Sequence, residues 1–111
     1  MGRAEALEGA DVTNRQAERL LLAAGPCLGF DRERLVSPDR HKSLTRARHV
    51  AMYVARQMGA SYPEIGIVFG GRDPTTAQSA CRRVQACLDS GDERVAEGVR
   101  GLMRELGLVA A

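Results

Sequence analysis

The stretch SYPEIGIVFGGRDPTTAQSACRRVQACL, residues 61–88, decides the fold because it predicts a short helix, a tight turn and a longer helix. Ser61 and Glu64 have the spacing of a capping box at the start of the first helix. The pair Gly70–Gly71 ends that helix, since glycine adopts the positive φ angles that a tight turn needs. Asp73 is then a natural N-cap for the second helix. The stretch has the outline of a helix-turn-helix.

Further helices are predicted on the N-terminal side of this stretch. Thr13 and Gln16 have capping-box spacing and open a helix that the Gly25–Pro26 pair stops. One short helical turn is expected over residues 31–35. The segment SPDRHKSL, residues 37–44, combines turn residues with basic side chains and is predicted as a loop.

A second long helix is predicted from Thr45, its expected cap, to Gly59, and a last helix over residues 92–107. The apolar residues of both recur at helical spacing, which indicates core-facing stripes. The sequence therefore predicts an all-α, compact bundle of five to six helices containing a helix-turn-helix over residues 61–88. It forms a single domain over residues 12–108, preceded by a flexible N-terminus over residues 1–11.

The composition agrees with a small helical domain that meets an anionic partner. Hydrophobic residues make up 44 % of the 111 residues and aromatic residues only 4 %, which favours packed helices over a β-sandwich. The net charge is +2, but eight basic and three acidic residues lie between Ser37 and Arg83. A basic centre between acidic flanks indicates nucleic acid as a partner, with an ordinary solvated surface as the alternative.

Residue patterns typical of catalysis or metal binding are missing from the sequence. Cys27, Cys81 and Cys87 are odd in number and lack zinc-site spacing, so they are expected to be free thiols. The only lysine, Lys42, is remote from the glycine pair, which excludes a Walker A loop. No signal peptide or membrane span is found. The sequence predicts a cytoplasmic protein that is not an enzyme and has no cofactor, metal or membrane partner.

The start of the second motif helix has two interpretations. Capping alone explains Asp73 and Pro74, because proline suits the first helical position. Capping does not explain Thr75 and Thr76, whose hydroxyl groups stand at a helix start that attracts phosphate. The same helix continues with polar side chains at Gln78, Ser79 and Arg82. This pattern favours a DNA recognition helix over a purely structural one.

A family resemblance is carried by RHVAMYVARQMGASYPEIGIVFGGRDPTTAQSACRRV, residues 48–84. It resembles the C-terminal DNA-binding domain of the bacterial replication initiator DnaA, and this resemblance implies a TrpR-like fold. That family carries Arg-x-x-Ala-Met-Tyr-Leu, then Ser-x-x-Glu-Ile-Gly-x-x-Phe-Gly-Gly-Arg-Asp-His-Thr-Thr, and the resemblance extends over residues 12–106. It implies that the second motif helix enters the major groove of duplex DNA, while an arginine of an upstream basic loop enters the adjacent minor groove.

The resemblance also implies a set of site residues. Arg40 takes the position of the minor-groove arginine. The residues expected along phosphates are Lys42, Arg48, His49 and Arg56. The residues expected to brace the DNA backbone are Ser61, Tyr62 and Pro63. The residues expected at base edges or flanking phosphates are Asp73, Thr75 and Thr76, with Pro74 and Ser79 beside them.

Two positions depart from the family pattern. Pro74 stands where the family usually has His, and Ser79 where it often has His. Proline removes a side-chain donor and a backbone N–H from the helix start. We therefore expect binding to the DNA backbone with a different or more relaxed base preference.

The expected role is that of a stand-alone regulator of replication or transcription, monomeric by default. A full initiator carries an ATPase domain upstream, and the residues before the basic loop are too few for one. Met1 and Pro74 favour a complete small protein over a DNA-binding domain cut out of a longer initiator. The alternative is a helical protein-interaction module that contacts replication machinery or RNA polymerase, and the acidic segment DSGDERVAEG, residues 89–98, is a candidate surface for such a partner.

Overall fold

A computed structural model describes residues 2–108 of the chain, with side chains from residue 15 onward. All regular structure in this part is helical, which confirms the all-α prediction. The helices are α1 (Gly2–Leu28), α2 (Arg32–Val36), α3 (Lys42–Gln57), α4 (Tyr62–Val68), α5 (Pro74–Asp89) and α6 (Glu93–Glu105). None of the helices described is both long enough and apolar enough to cross a membrane.

Helix α1 is longer than the sequence predicts. It begins at Gly2, so the expected start at Thr13 is wrong, and the side chain of Thr13 lies outside the described side chains. The helix also continues through Pro26. Its end comes at Gly29, which has a φ of 82° and donates its N–H to the Gly25 carbonyl at 2.8 Å. The flexibility expected for residues 1–11 stays a prediction.

Helix α3 begins three residues before its predicted cap. The N-cap is His41, and the Thr45 N–H donates to the His41 carbonyl at 2.8 Å, so Thr45 lies inside the helix. Leu44 is fully buried, and the added turn places it on the same face as Ala47 and Ala51. The predicted loop over residues 37–44 is therefore shortened to residues 37–41.

Helices α4 and α5 begin at the capping residues that the sequence predicts. The Ser61 N–H donates to the Glu64 carboxylate at 2.8 Å, and the Glu64 N–H donates to the Ser61 hydroxyl at 3.3 Å, which completes the capping box. Asp73 caps α5, with Pro74 at its first position. The helix-turn-helix over residues 61–88 is thus confirmed.

Helix α3 lies at the centre of the molecule and packs against α1, α2, α4, α5 and α6. The apolar faces of α3, α5 and α6 point into the resulting core, while Met58, just after α3, and Leu88, near the end of α5, are only half-buried. The largest fully buried side chain is Phe69, at the end of α4. The cysteines are free thiols; Cys81 is buried, and Cys27 and Cys87 are half-buried.

Two glycines at the α4–α5 turn, one inside α4 and one in the turn itself, have no room for a side chain. A Cβ atom on Gly66 would lie 2.1 Å from the Arg72 carbonyl oxygen. A Cβ atom on Gly70 would lie 2.3 Å from the Val36 carbonyl oxygen, and the φ of Gly70 is 90°. The second contact sets the turn directly against the end of α2, next to the loop of residues 37–41.

Candidate nucleic-acid interface

The first turn of α5 is capped by Asp73, and its side chains are exposed to solvent. The Asp73 carboxylate accepts a hydrogen bond from the Thr75 N–H at 2.9 Å. This bond, with a second from the Thr75 side chain, holds the pKa of Asp73 below its ordinary value. Pro74, Thr75, Thr76 and Ser79 are all exposed. The helix start therefore presents small polar side chains to solvent, together with the positive end of the helix dipole.

The loop of residues 37–41 presents Arg40 beside the start of α5. Arg40 is exposed, and its neighbour in the loop Asp39 accepts a hydrogen bond from the His41 N–H at 3.0 Å. Arg40 borders the same hollow as Arg72 and Thr76. The structure thus brings together the predicted minor-groove arginine and the predicted recognition helix.

A continuous concave surface, which we call the basic groove, runs between this loop, α3 and α5. It consists of three adjoining hollows that all share His49. Within the described part of the chain, its charged lining residues are Arg40, Lys42, Arg46, Arg48, Arg72, Arg83 and Asp92. Six basic residues against one acidic residue give the groove a strongly positive potential, which attracts a polyanion.

His49 lies at the middle of the basic groove and is half-buried. Burial lowers its pKa below the ordinary 6.5, and the positive charges of Arg83, Arg48 and Arg72 lower it further. The imidazole is therefore largely neutral at pH 7 in the free protein. A phosphate placed in the groove would reverse this effect, because a negative charge favours the protonated ring.

We expect DNA affinity to rise as the pH falls from 7 to 5, by at most about tenfold per pH unit for one proton taken up on binding. The measurement is the dissociation constant as a function of pH. The variant His49→Gln should lose this dependence, while His41→Gln, in the exposed loop, should keep it. An unchanged pH slope in His49→Gln would contradict the assignment.

The same pKa shift acts on folding in the opposite direction. The unfolded chain binds the His49 proton more tightly than the folded chain, so the contribution of His49 to stability is complete above pH 6.5 and is lost as the pH falls through the folded pKa. Binding is therefore measured only at pH values where the circular dichroism of the helices is unchanged.

Arg48, expected along a phosphate, is placed differently by the structure. Its side chain is only 4 % exposed. Its Nε donates to the Leu35 carbonyl at 2.7 Å, and its Nη2 lies 3.0–3.3 Å from the carbonyl oxygens of residues 34, 37 and 39. This hydrogen-bonding arrangement makes Arg48 an internal support of the loop of residues 37–41, because a buried charge is retained where its donors are satisfied.

Four other predicted residues form a separate cluster at the start of α4. The guanidinium of Arg56 lies 5.0 Å from the centre of the Tyr62 ring and donates to the Ala60 carbonyl at 3.1 Å. Ser61 caps the helix and Pro63 is exposed beside it. These residues do not line the basic groove. Lys42, by contrast, lines it next to Arg40.

The basic groove contains residues that sequence reasoning left out of the site. Arg72 and Arg83 line it from the turn and from α5, and Thr45 and Arg46 line it from α3. Helical spacing held a signal for Arg83, since it follows Ser79 by four residues and so shares its face. The described residues include no group of three or more His, Cys, Asp or Glu side chains placed to hold a metal ion.

The capped α5, the glycine turn and the groove beside them define a helix-turn-helix protein. Residues 27–84, more than half of the chain, match the family model described as the bacterial dnaA protein helix-turn-helix. The chain belongs to this family, and membership implies binding to double-stranded DNA.

The relatives with matching sequence include two initiator proteins. Over 73 residues, the chain is 42 % identical to the chromosomal replication initiator protein DnaA of Acinetobacter baylyi and 44 % identical to that of a Ruegeria species. Each match covers 65 % of this chain, but only 16 % and 15 % of the two relatives. The chain therefore corresponds to a minor part of the length of these proteins.

Proposed function

We propose that the chain binds duplex DNA with α5 in the major groove and Arg40 in the adjacent minor groove. The observation that carries the proposal is the basic groove, which joins Arg40 to the exposed start of α5 through His49. A narrow A/T-rich minor groove has an enhanced negative potential that attracts arginine. The methyl groups of Thr75 and Thr76 suit contact with thymine methyl groups.

The proposed role is regulation of replication initiation or transcription by occupancy of DNA sites, without catalysis or a cofactor. The support for replication is the similarity to chromosomal replication initiator proteins. The proposal includes a cytoplasmic location and a monomeric state. Pro74 has neither a side-chain hydrogen-bond donor nor a backbone N–H. We therefore expect phosphate contacts to contribute more to the binding energy, and base contacts less, than in relatives with His at that position.

The test of this proposal is a salt titration of binding to a fluorescent duplex containing a DnaA box, beside a scrambled duplex. We expect tighter binding to the box and a preference that persists as salt rises. Equal binding to both duplexes that collapses with salt would show phosphate contacts without that base preference. Binding to neither at low salt would reject the proposal and favour the protein-interaction module.

Replacement of Thr75 by Ala is expected to weaken DNA binding by about 1 kcal/mol, or about fivefold, because a side chain at the proposed major-groove surface is shortened. The backbone hydrogen bond from the Thr75 N–H to the Asp73 carboxylate is kept, and the cap loses only the second bond, from the Thr75 side chain. The control is Gln16→Ala, which changes an exposed side chain of α1 that does not line the basic groove. Dissociation constants of the two variants give the comparison, and equal losses would indicate a general effect on folding.

A further inference from the structure

The loop that carries Arg40 is held by two arginine side chains from other elements. The Ser37 carbonyl accepts a hydrogen bond from Arg72 Nη2 at 2.7 Å and another from Arg48 Nη2 at 3.0 Å. The Asp39 carbonyl accepts a further bond from Arg48 Nη2 at 3.1 Å. Asp39 directly precedes Arg40 and Ser37 lies three residues before it, so these bonds hold the backbone that leads into Arg40.

Arg48 is the interior part of this support. Its Nε donates to the Leu35 carbonyl at 2.7 Å, and 96 % of its surface is covered. Since Nε and Nη2 donate to protein carbonyls, these two nitrogens hold the loop and are not directed to a ligand.

Arg72 is the part that reaches across to the helix-turn-helix. Its Nη1 donates to the Phe69 carbonyl, at the end of α4, while its Nη2 donates to the Ser37 carbonyl. Its backbone N–H donates to the Gly66 carbonyl at 2.7 Å. It also directly precedes Asp73, the cap of α5. One residue therefore connects the loop that carries Arg40 with the turn that orients α5.

We infer that Arg72 is a positioning residue for DNA binding: its guanidinium bridges the loop of residues 37–41 and the α4–α5 turn, and so fixes Arg40 relative to α5. The inference rests on the proposed function, because the two elements it aligns are the proposed minor-groove and major-groove readers. Arg72 acts through Arg40 and takes no phosphate contact of its own.

The electrostatics of the loop agree with this role. Burial lowers the pKa of Arg72, and the positive charge of Arg40 lowers it further. Like charges repel, and the bridge is what keeps them together in the free protein. The arrangement becomes favourable when an anion enters the groove beside Arg40.

The test is a double-mutant cycle between Arg72 and Arg40, read as affinity for the DnaA-box duplex. Arg72→Ala is expected to weaken binding about tenfold in the wild-type chain, yet less than about twofold in the Arg40→Ala background, because Arg72 acts through Arg40. Arg72→Lys should behave like Arg72→Ala, since a single ammonium group cannot bridge two carbonyls. The matched control is Arg100→Ala, which removes an exposed α6 arginine outside the basic groove.

Three results would overturn the inference. The first is equal losses from Arg72→Ala in both backgrounds, with the salt slope of log affinity reduced by about one, the sign of a direct phosphate contact. The second is full rescue by Arg72→Lys. The third is an unchanged hydrogen-exchange rate of the His41 N–H, which donates to Asp39 within the loop, in Arg72→Ala. A wild-type chain that binds neither duplex rejects the proposed function itself and is thereby distinguished from these outcomes.

Discussion

Replacement of Arg40 by Ala is expected to weaken binding to an A/T-containing duplex by about 1–3 kcal/mol, a factor of about 5 to 150. Arg40 is exposed and borders the same hollow of the basic groove as Thr76 in the first turn of α5. Its removal takes away the side chain proposed to enter the minor groove, while the hydrogen bonds that hold the loop involve backbone carbonyls and remain. The measurement is the dissociation constant by fluorescence anisotropy.

A second duplex separates the groove contact from simple loss of charge. Substitution of G·C for the A·T pairs at the proposed minor-groove step introduces the guanine amino group into that groove. The wild-type chain should lose affinity for the altered duplex, and Arg40→Ala should be indifferent to the change. Arg100→Ala removes the same charge from α6 and should discriminate between the duplexes as the wild type does. If Arg40→Ala and Arg100→Ala behave alike, Arg40 has no place in the site.

Replacement of Gly66 by Ala is expected to destabilise the fold by about 3 kcal/mol. The added Cβ would lie 2.1 Å from the Arg72 carbonyl oxygen and 3.1 Å from its carbonyl carbon, so the backbone of the turn has to move. The same backbone holds the Arg72 N–H on the Gly66 carbonyl at 2.7 Å. Urea unfolding followed by circular dichroism gives the free energy of unfolding.

Gly101→Ala is the matched control for this steric effect. Gly101 lies inside α6, and a Cβ there would meet no atom within 4 Å beyond the backbone of its own helix and its chain neighbours. Alanine in a helix interior is favoured over glycine, so this variant should gain about 0.5–1 kcal/mol. A Gly66→Ala variant as stable as the wild type would show that the turn is looser than the contacts indicate.

The sequence predicted the elements whose ends depend on neighbouring residues. Ser61 and Glu64 satisfy each other's backbone groups three residues apart, and Asp73 caps α5 two residues from its partner. Such bonds form wherever the local sequence allows them, so the motif was readable without tertiary information. The start of helix α3 was predicted about one turn too late, because its N-cap, His41, makes no side-chain capping bond and so gives no capping signal in the sequence.

The candidate site was only partly predictable for a related reason. Arg40 and the start of α5 were identified from the basic loop and the helix start. The burial of Arg48 was not, because the carbonyls that it binds belong to residues 34–39 and come within reach only once α2 packs on α3. Arg72 was likewise read as part of a charge pattern, whereas its contact with Ser37 spans 35 residues of sequence.

Six basic residues repel one another along the basic groove. The lifetime of the folded chain should therefore depend on whether a polyanion is bound in the groove. Mutual repulsion among these groups opposes folding in the free protein, and a bound polyanion removes that repulsion. A ligand that binds only the folded state also stabilises it by mass action, by about 2.7 kcal/mol at one hundred times the dissociation constant. Molecules seated on DNA should therefore unfold and be degraded more slowly than unbound ones. The amount of protein that a cell retains would then follow the number of sites available to it.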